Sequence, residues 1–184
     1  FDLNSASAIN KINLNTKGEF VSLHRTKGLE TNKFFINQNL LYPTILTDGT
    51  AAEVGVHLNA GFYNINKYDN PGNGRFEYSK NRINAYPVFS LKLNKPYFKS
   101  SKKYVTIIEP NVMFIKSNKK AFNRYIPDEN NIDNFELDYF DIFNINRLSG
   151  FDRFDSQSRV DYGIKFKKKS TNNDFISEIS VAQS

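Results

Sequence analysis

The segment from Arg159 to Phe166 alternates strictly between polar and apolar residues, and this pattern constrains the fold more than any other feature. A period of two is that of a β-strand with one polar and one apolar face. The apolar residues are aromatic or β-branched, as strands prefer. Similar alternation recurs along the chain, and no segment has a clear helical period. The chain is therefore predicted to be all-β.

Eight strands are predicted, joined as consecutive antiparallel hairpins in an up-and-down meander. They cover residues 6–15, 19–26, 33–46, 53–65, 82–93, 103–116, 158–167 and 174–184. Turn signals such as Asp48-Gly49 separate them. The connections at one end of this meander include both long loops, at residues 63–81 and 117–157, while the other end has only turns. Outer-membrane barrels separate long loops from short turns in this way, whereas a β-sandwich has no reason to do so.

The composition allows either kind of all-β protein. Hydrophobic residues make up 39% of the chain and the mean hydropathy is −0.55. No apolar run approaches the ~20 residues of a spanning helix. A barrel strand needs only ~9–11 residues with every second one apolar, so a wide barrel would also give a low mean hydropathy. The 17 Phe and 10 Tyr residues suit a sandwich core or lipid-facing rings.

Residues that could carry out chemistry do not form a recognisable site. The absence of cysteine excludes disulfides and thiol catalysis. His24 and His57 have no ligand spacing, and no nucleophile motif is present. The acidic cluster between Asp128 and Asp141 lacks the order of a calcium loop and is interpreted as a solvated loop, with calcium as the alternative. The net charge of +6 suits anionic partners or plain solubility. No enzyme activity, cofactor or metal is predicted.

Four short blocks carry a resemblance to a known family. In chain order they are IEPNV at 108–112, YIPD at 125–128, NRLSGFDR at 146–153 with RVDYG after it, and SVAQ at 180–183. They resemble, in the same order, blocks in the barrel domain of LptD, the outer-membrane lipopolysaccharide-assembly family. Ala182 departs from the glycine that the family usually has in the last block. The resemblance is closest from about residue 81 onwards.

The resemblance implies that residues 1–184 are a single internal segment of a large transmembrane outer-membrane β-barrel, open as a fragment. It implies location in a Gram-negative outer membrane and insertion of lipopolysaccharide into the outer leaflet. The implied partners are lipopolysaccharide, an LptE-like plug lipoprotein, the periplasmic Lpt bridge and outer-membrane lipids, with no nucleic acid. The alternative is a soluble or cell-surface β-sandwich binding or adhesin module, which accounts for the alternation but not for the ordered blocks.

The alternation assigns residues to two faces of the predicted barrel wall. The lumen-facing residues are predicted to include Glu109, Asn111, Asp161 and Lys165. The lipid-facing residues are predicted to be Val54, Val56, Leu58, Phe89, Leu91, Val160, Tyr162, Ile164 and Phe166.

The long connection from residue 117 to 157 is expected to pack inward over the barrel mouth. It carries apolar residues between Phe135 and Ile145 that would form an exposed apolar patch in water. The family resemblance suggests that its signature block pins the return of this loop to the next strand, through charge-assisted hydrogen bonds. The pinning residues are predicted to be Asn146, Arg147, Ser149, Gly150, Asp152 and Arg153.

Overall fold

The part of the chain that the structure describes is mostly β-strand. The computed structural model describes residues 2–9, 11–24, 30–66, 68–70, 75–77, 80–117, 138–147, 157–170 and 176–184. The strands in these ranges are β1 (Asp2–Ile9), β2 (Ile12–Leu23), β3 (Glu30–Ile45), β4 (Ala51–Asn66), β5 (Tyr68–Asn70), β6 (Arg75–Glu77), β7 (Lys80–Asn94), β8 (Tyr97–Ser100), β9 (Tyr104–Ser117), β10 (Arg159–Ser170) and β11 (Ile176–Gln183). One helical turn, α1 (Tyr139–Ile142), precedes β10. Within these ranges, no helix is long and apolar enough to cross a membrane.

The described strands form one open antiparallel sheet in the order β1-β2-β3-β4-β7-β9-β10-β11, with β8 also paired to β9. Strands that follow one another in sequence are therefore neighbours in the sheet, apart from the small β5–β6 hairpin, which forms its own pair. Among the described residues, β1 pairs only with β2 and β11 only with β10, so the sheet is not closed. The all-β antiparallel meander predicted from the sequence is confirmed.

β7 and β8 are two parts of one long strand. Val88 pairs with Ser117 at one end of the β7–β9 ladder, and Tyr97 pairs with Ile108 in the β8–β9 ladder, in a register that does not shift between the two. In the interruption, the Lys95 N–H donates a 3.3 Å hydrogen bond to the Pro110 oxygen, but Pro110 has no N–H with which to return it. This strand and β9 therefore make a single extended hairpin, which continues past Ala51, the first residue of β4.

The first predicted turn was wrong. Residues 16–18 lie inside β2, where Gly18 pairs with both Leu3 and Ile36, and the chain turns instead between Ile9 and Ile12. Lys11 in that turn has a positive φ of 69°. Residues 16–18 form strand because both neighbouring strands pair with them, and such pairing outweighs the local preference of a Lys-Gly pair. The predicted turn at residues 168–173 likewise begins too early, since β10 continues to Ser170.

The turn between β3 and β4 follows its sequence signal. Gly49 adopts a positive φ of 81°, a conformation that glycine takes without steric cost. The Asp48 carboxylate accepts hydrogen bonds from the Thr50 backbone and side chain and forms a 2.7 Å ion pair with Lys95. The hydrogen bond from Lys95, followed by those from Thr50, lowers the pKa of Asp48 to about 2. Above pH about 2 the carboxylate thus ties this turn to the interruption between β7 and β8.

The two faces of the sheet differ in an unusual way: one is apolar and exposed, and the other is largely polar and buried. On β4, Val54, Val56 and Leu58 are exposed, whereas His57 and Asn59, which follow Val56 and Leu58 in turn, are buried. The same alternation runs through β10, where Tyr162 and Ile164 are exposed. Soluble proteins place their large apolar side chains inside, so a whole sheet face of exposed Phe, Leu, Ile and Val points to an apolar environment around it. These surfaces are called here the exposed face and the buried face.

Candidate functional site: the buried face and the segment that covers it

A carboxylate that is completely buried lies at the centre of the site. Asp161, on β10, has no solvent exposure. Its Oδ2 accepts a 2.9 Å hydrogen bond from Nε of Arg159, which lies two residues earlier on the same face of the strand. Its Oδ1 is 4.0 Å from Nη1 of Arg147. A buried charge is tolerated only when it is paired. Here Arg159 hydrogen-bonds one carboxylate oxygen, and Arg147 supplies a second positive charge near the other oxygen, which accepts no hydrogen bond among the described residues.

The two arginines connect Asp161 to residues 138–147, which we call the covering segment. Arg159 donates hydrogen bonds from Nη2 to the backbone oxygens of Asn144 and Ile145. Arg147 is itself part of the segment and donates a 2.9 Å hydrogen bond to Oγ of Ser184, just after β11. Charge-assisted hydrogen bonds, which are stronger than neutral ones, therefore hold the segment's backbone to β10 and its Arg147 side chain to Ser184.

Apolar side chains of the buried face also contact the covering segment. Val88, Met113 and Ile115 are buried on β7 and β9 and form a small apolar cluster on the buried face. Phe143 and Ile145 of the covering segment pack against this cluster. This packing removes Phe143 and Ile145 from water, and they are part of the apolar surface for which the sequence predicted inward packing. The described part of the long loop thus packs onto the sheet.

Tyr139 fixes the beginning of the segment. Its hydroxyl accepts a 2.9 Å hydrogen bond from Nδ2 of Asn111, and its ring lies 5.3 Å from Nζ of Lys165. Lys165 is buried and forms a 3.1 Å ion pair with Glu178 on β11. Desolvation, the largest effect on this group, raises the pKa of the Tyr139 hydroxyl. Contacts with β9 and β10 therefore hold both ends of the covering segment.

A row of hydrogen-bonded polar side chains crosses the three strands β3, β4 and β7 on the buried face. Nδ1 of His57 is 2.8 Å from Oδ1 of Asn39, and Nε2 is 2.9 Å from Oγ of Ser90. This is the order of side chains in a serine hydrolase relay. The three residues lie within strands that pair on both sides, so their backbone amides are used by the ladder and supply no oxyanion hole. We interpret this row of side chains as a structural link between the three strands.

Gly55 makes room for this link, and its replacement is expected to break it. A Cβ at this position would lie 2.5 Å from Nε2 of His57 and closer still to Oγ of Ser90. We expect Gly55→Ala to destabilise the intact protein by about 1–3 kcal/mol, because a buried hydrogen bond is lost. The measurement is the denaturant midpoint of unfolding in detergent. In a double-mutant cycle, Gly55→Ala should cost less when Ser90 is already alanine; equal costs would contradict the mechanism.

A pocket of about 450 Å³ lies between the covering segment and the strands β2, β3, β4 and β7. Residues 143–146 form one wall, and the opposite wall carries amide, imidazole, cationic and carboxylate side chains. Its charged side chains are Lys17, Lys92 and Glu53, and its amides include Asn37 and Asn59. A wall of amides with two ammonium groups and one carboxylate suits a hydroxylated molecule with an anionic group rather than an apolar one.

The two predicted sets of wall residues lie on opposite faces of the sheet. Asp161 and Lys165 are buried, and Glu109 and Asn111 are half-buried on the same face, since Glu109 pairs with Lys165 and Asn111 with Gly163. The opposite face carries the predicted outward set, of which Val54, Val56, Leu58, Phe89, Val160, Tyr162 and Ile164 are exposed and Leu91 and Phe166 are half-buried.

Two of the six predicted pinning residues lie within the described part of the chain. Asn146 and Arg147 belong to the covering segment, whereas Ser149, Gly150, Asp152 and Arg153 lie outside the described residues. The prediction missed Arg159 as the residue that binds the segment's backbone. Its only sequence signal was its position two residues before Asp161 on the polar face.

Metal binding has no support in the described part of the chain. Within it, no three His, Asp or Glu side chains lie close enough together to hold an ion. Of the acidic cluster considered from the sequence, Asp138 and Asp141 are described, and both make hydrogen bonds within the covering segment.

An open antiparallel meander with an exposed apolar face and a buried polar face defines the chain as part of the wall of a β-barrel. Comparison with known families agrees with this class. The family described as "LptD: LPS transport system D" matches residues 1–184, the whole chain, and the chain belongs to this family. No curated protein matches the chain. The resemblance found in the sequence is thereby confirmed. The family acts in lipopolysaccharide transport and assembly at the outer membrane.

Proposed function

We propose that residues 1–184 form one continuous segment of the wall of a lipopolysaccharide translocon barrel in the Gram-negative outer membrane. The exposed face meets lipid, and the buried face lines the lumen. The barrel inserts lipopolysaccharide into the outer leaflet, receiving it from the periplasmic Lpt bridge and working with an LptE-like plug lipoprotein. Membership of the family supports this role. The chain carries no catalytic step in this proposal, because transport requires only binding and release.

The observation that carries the proposal is the covering segment. It holds polar and apolar contacts to the buried face at the same time, through Arg159 and through the packing of Phe143 and Ile145. A segment fixed in this way narrows the space in front of the sheet but leaves the polar pocket beside it. A phosphorylated glycolipid headgroup would find amides and ammonium groups there, which suits the chemistry of sugars and phosphates.

A β-sandwich adhesin would need a second sheet packed on the first. In the described ranges the only other sheet is the two-stranded β5–β6 hairpin, and the covering segment lies on the buried face instead. The sandwich alternative therefore has no structural support.

Photocrosslinking in cells tests the proposed path. A photoreactive amino acid at Lys92, which lines the pocket, is expected to crosslink to lipopolysaccharide. The matched control is Tyr97, five residues later along the same long strand but on the exposed face, at the end of the sheet with the short turns. Outer-membrane barrels place short turns on the periplasmic side, away from the leaflet that receives lipopolysaccharide. We expect lipopolysaccharide adducts from position 92 and none, or only phospholipid adducts, from position 97. Equal lipopolysaccharide adducts from both positions would contradict the assignment of the lumen.

A further inference from the structure

The extended β8–β9 hairpin and the end of β10 carry an ordered set of side chains on the exposed face. Lys99 lies opposite Thr106 in the β8–β9 ladder, and Thr106 lies opposite Lys168 in the β9–β10 ladder. One row across three strands therefore carries a cation, a hydroxyl and a second cation. The neighbouring row toward the middle of the strands is Tyr97, Ile108 and Phe166, all aromatic or aliphatic. Residues directly opposite one another on paired strands share a face. Both rows therefore belong to the exposed face.

The cations of this row are available to a ligand. Lys99 and Lys168 are exposed, and among the described residues neither has a carboxylate within ion-pair distance. By contrast, Lys165 and Lys167, on the buried face, are both paired with Glu178. Nζ of Lys168 lies 4.4 Å from the centroid of the Tyr104 ring, which is 41% exposed. A cation–π contact of this kind holds the ammonium at the level of the ring.

The spacing suits a single phosphate group. Neighbouring strands are about 4.8 Å apart, so the backbones of Lys99 and Lys168 are separated by roughly 10 Å, with Thr106 between them. Two lysine side chains of four carbons each can close this distance on one phosphate, and the Thr106 hydroxyl can donate a third hydrogen bond. The apolar row beside them offers a surface for acyl chains but nothing to a free phosphate ion.

We propose that the row formed by Lys99, Thr106 and Lys168 binds the phosphate of an anionic phospholipid in the leaflet on the turn side of the sheet. The acyl chains of that lipid then lie against Tyr97, Ile108 and Phe166. The proposal rests on the proposed function only in placing the exposed face against lipid. It adds a lipid class and a position, and it makes this hairpin an anchor that sets the depth of the barrel wall in the membrane.

The test uses the intact protein in nanodiscs of phosphatidylcholine with a small fraction of phosphatidylglycerol, and native mass spectrometry to count retained lipids. The test variant is Lys99→Gln combined with Lys168→Gln. Its control is Lys116→Gln, because Lys116 is an exposed lysine on the same face of β9 at the opposite end, where it pairs with Phe89. We expect about thirtyfold weaker retention of phosphatidylglycerol in the double variant, since each lysine near an anionic surface contributes roughly fivefold.

Three results would overturn the proposal. They are equal phosphatidylglycerol retention in the wild type and the double variant, an equal loss in the Lys116→Gln control, or full competition by soluble glycerol phosphate, which would indicate a free-phosphate site. Lipopolysaccharide crosslinking from position 92 should be unchanged in the double variant. If the wild type retains no phosphatidylglycerol but still crosslinks from position 92, the result counts against this site alone. A failure of crosslinking in the wild type counts against the lumen assignment.

Discussion

Replacing Asp161 with alanine is expected to destabilise the protein by about 3–5 kcal/mol, the usual cost of breaking a buried ion pair by removing one partner. Asp161 has no solvent exposure, and Arg159 and Arg147 both face it. Without the carboxylate, the side chain of Arg159, which is only 6% exposed, would keep its charge in a site with little water. The measurements are the denaturant midpoint of the purified protein and the yield of assembled protein in cells.

The same substitution should release the covering segment. Arg159 holds the backbone oxygens of Asn144 and Ile145 only while Asp161 orients its guanidinium group. We expect cells with Asp161→Ala to admit large antibiotics that the intact outer membrane excludes. Asp48→Ala is the matched control, because that carboxylate is also ion-paired but lies in an exposed turn. Wild-type assembly and permeability in Asp161→Ala would show that the carboxylate is dispensable.

A paired substitution separates stability from segment binding. Exchanging Arg159 for Met and Asp161 for Leu together replaces the buried ion pair with apolar groups of similar volume, a change that is often neutral for stability. The double variant should recover only part of the lost stability, because Arg147 would still face residue 161 without its carboxylate. It should remain permeable, because methionine cannot donate hydrogen bonds to the covering segment. Recovery of both properties would contradict a role for Arg159 in holding the segment.

Arginine in place of Ile164 is expected to cost about 2–4 kcal/mol, the cost of a cation on the lipid face at mid-membrane depth. Ile164 is 48% exposed in the middle of β10. In a soluble protein the same exchange at an exposed site would change stability by no more than about 0.5 kcal/mol. The experiment therefore distinguishes lipid from water around the exposed face. The change in stability is measured as the shift of the denaturant midpoint of unfolding in lipid vesicles.

The control for this experiment is another isoleucine on the same face. Ile83 is 70% exposed near the start of β7, so Ile83→Arg should cost only about 0–1 kcal/mol. Asp161→Leu provides the reverse exchange on the buried face, where it removes the partner of two arginines. If Ile164→Arg assembles normally while Ile83→Arg does not, the predicted depth profile is wrong.

Strand period, face assignment and the Asp48-Gly49 turn could all be predicted from the sequence. Each depends on residues that are close together in the chain. Alternation at Val160, Tyr162 and Ile164 is a property of neighbouring positions, and the strand geometry turns it directly into one face. The positive φ of Gly49 is likewise a local preference. The separation of long loops from short turns also follows from strand order alone, because consecutive antiparallel strands place alternate connections at opposite ends.

Only the tertiary structure decided where β2 begins and which residues meet on the buried face. The chain continues as strand through residues 16–18 because β1 and β3 pair with it on both sides, and no local signal contains that information. Arg147 and Asp161 are fourteen residues apart in sequence, and Ser90 and His57 are thirty-three apart. Their contacts depend on the register of each strand and on the path of the covering segment. A shift of one residue in a strand would turn these side chains to the other face, and only the paired strands together exclude it.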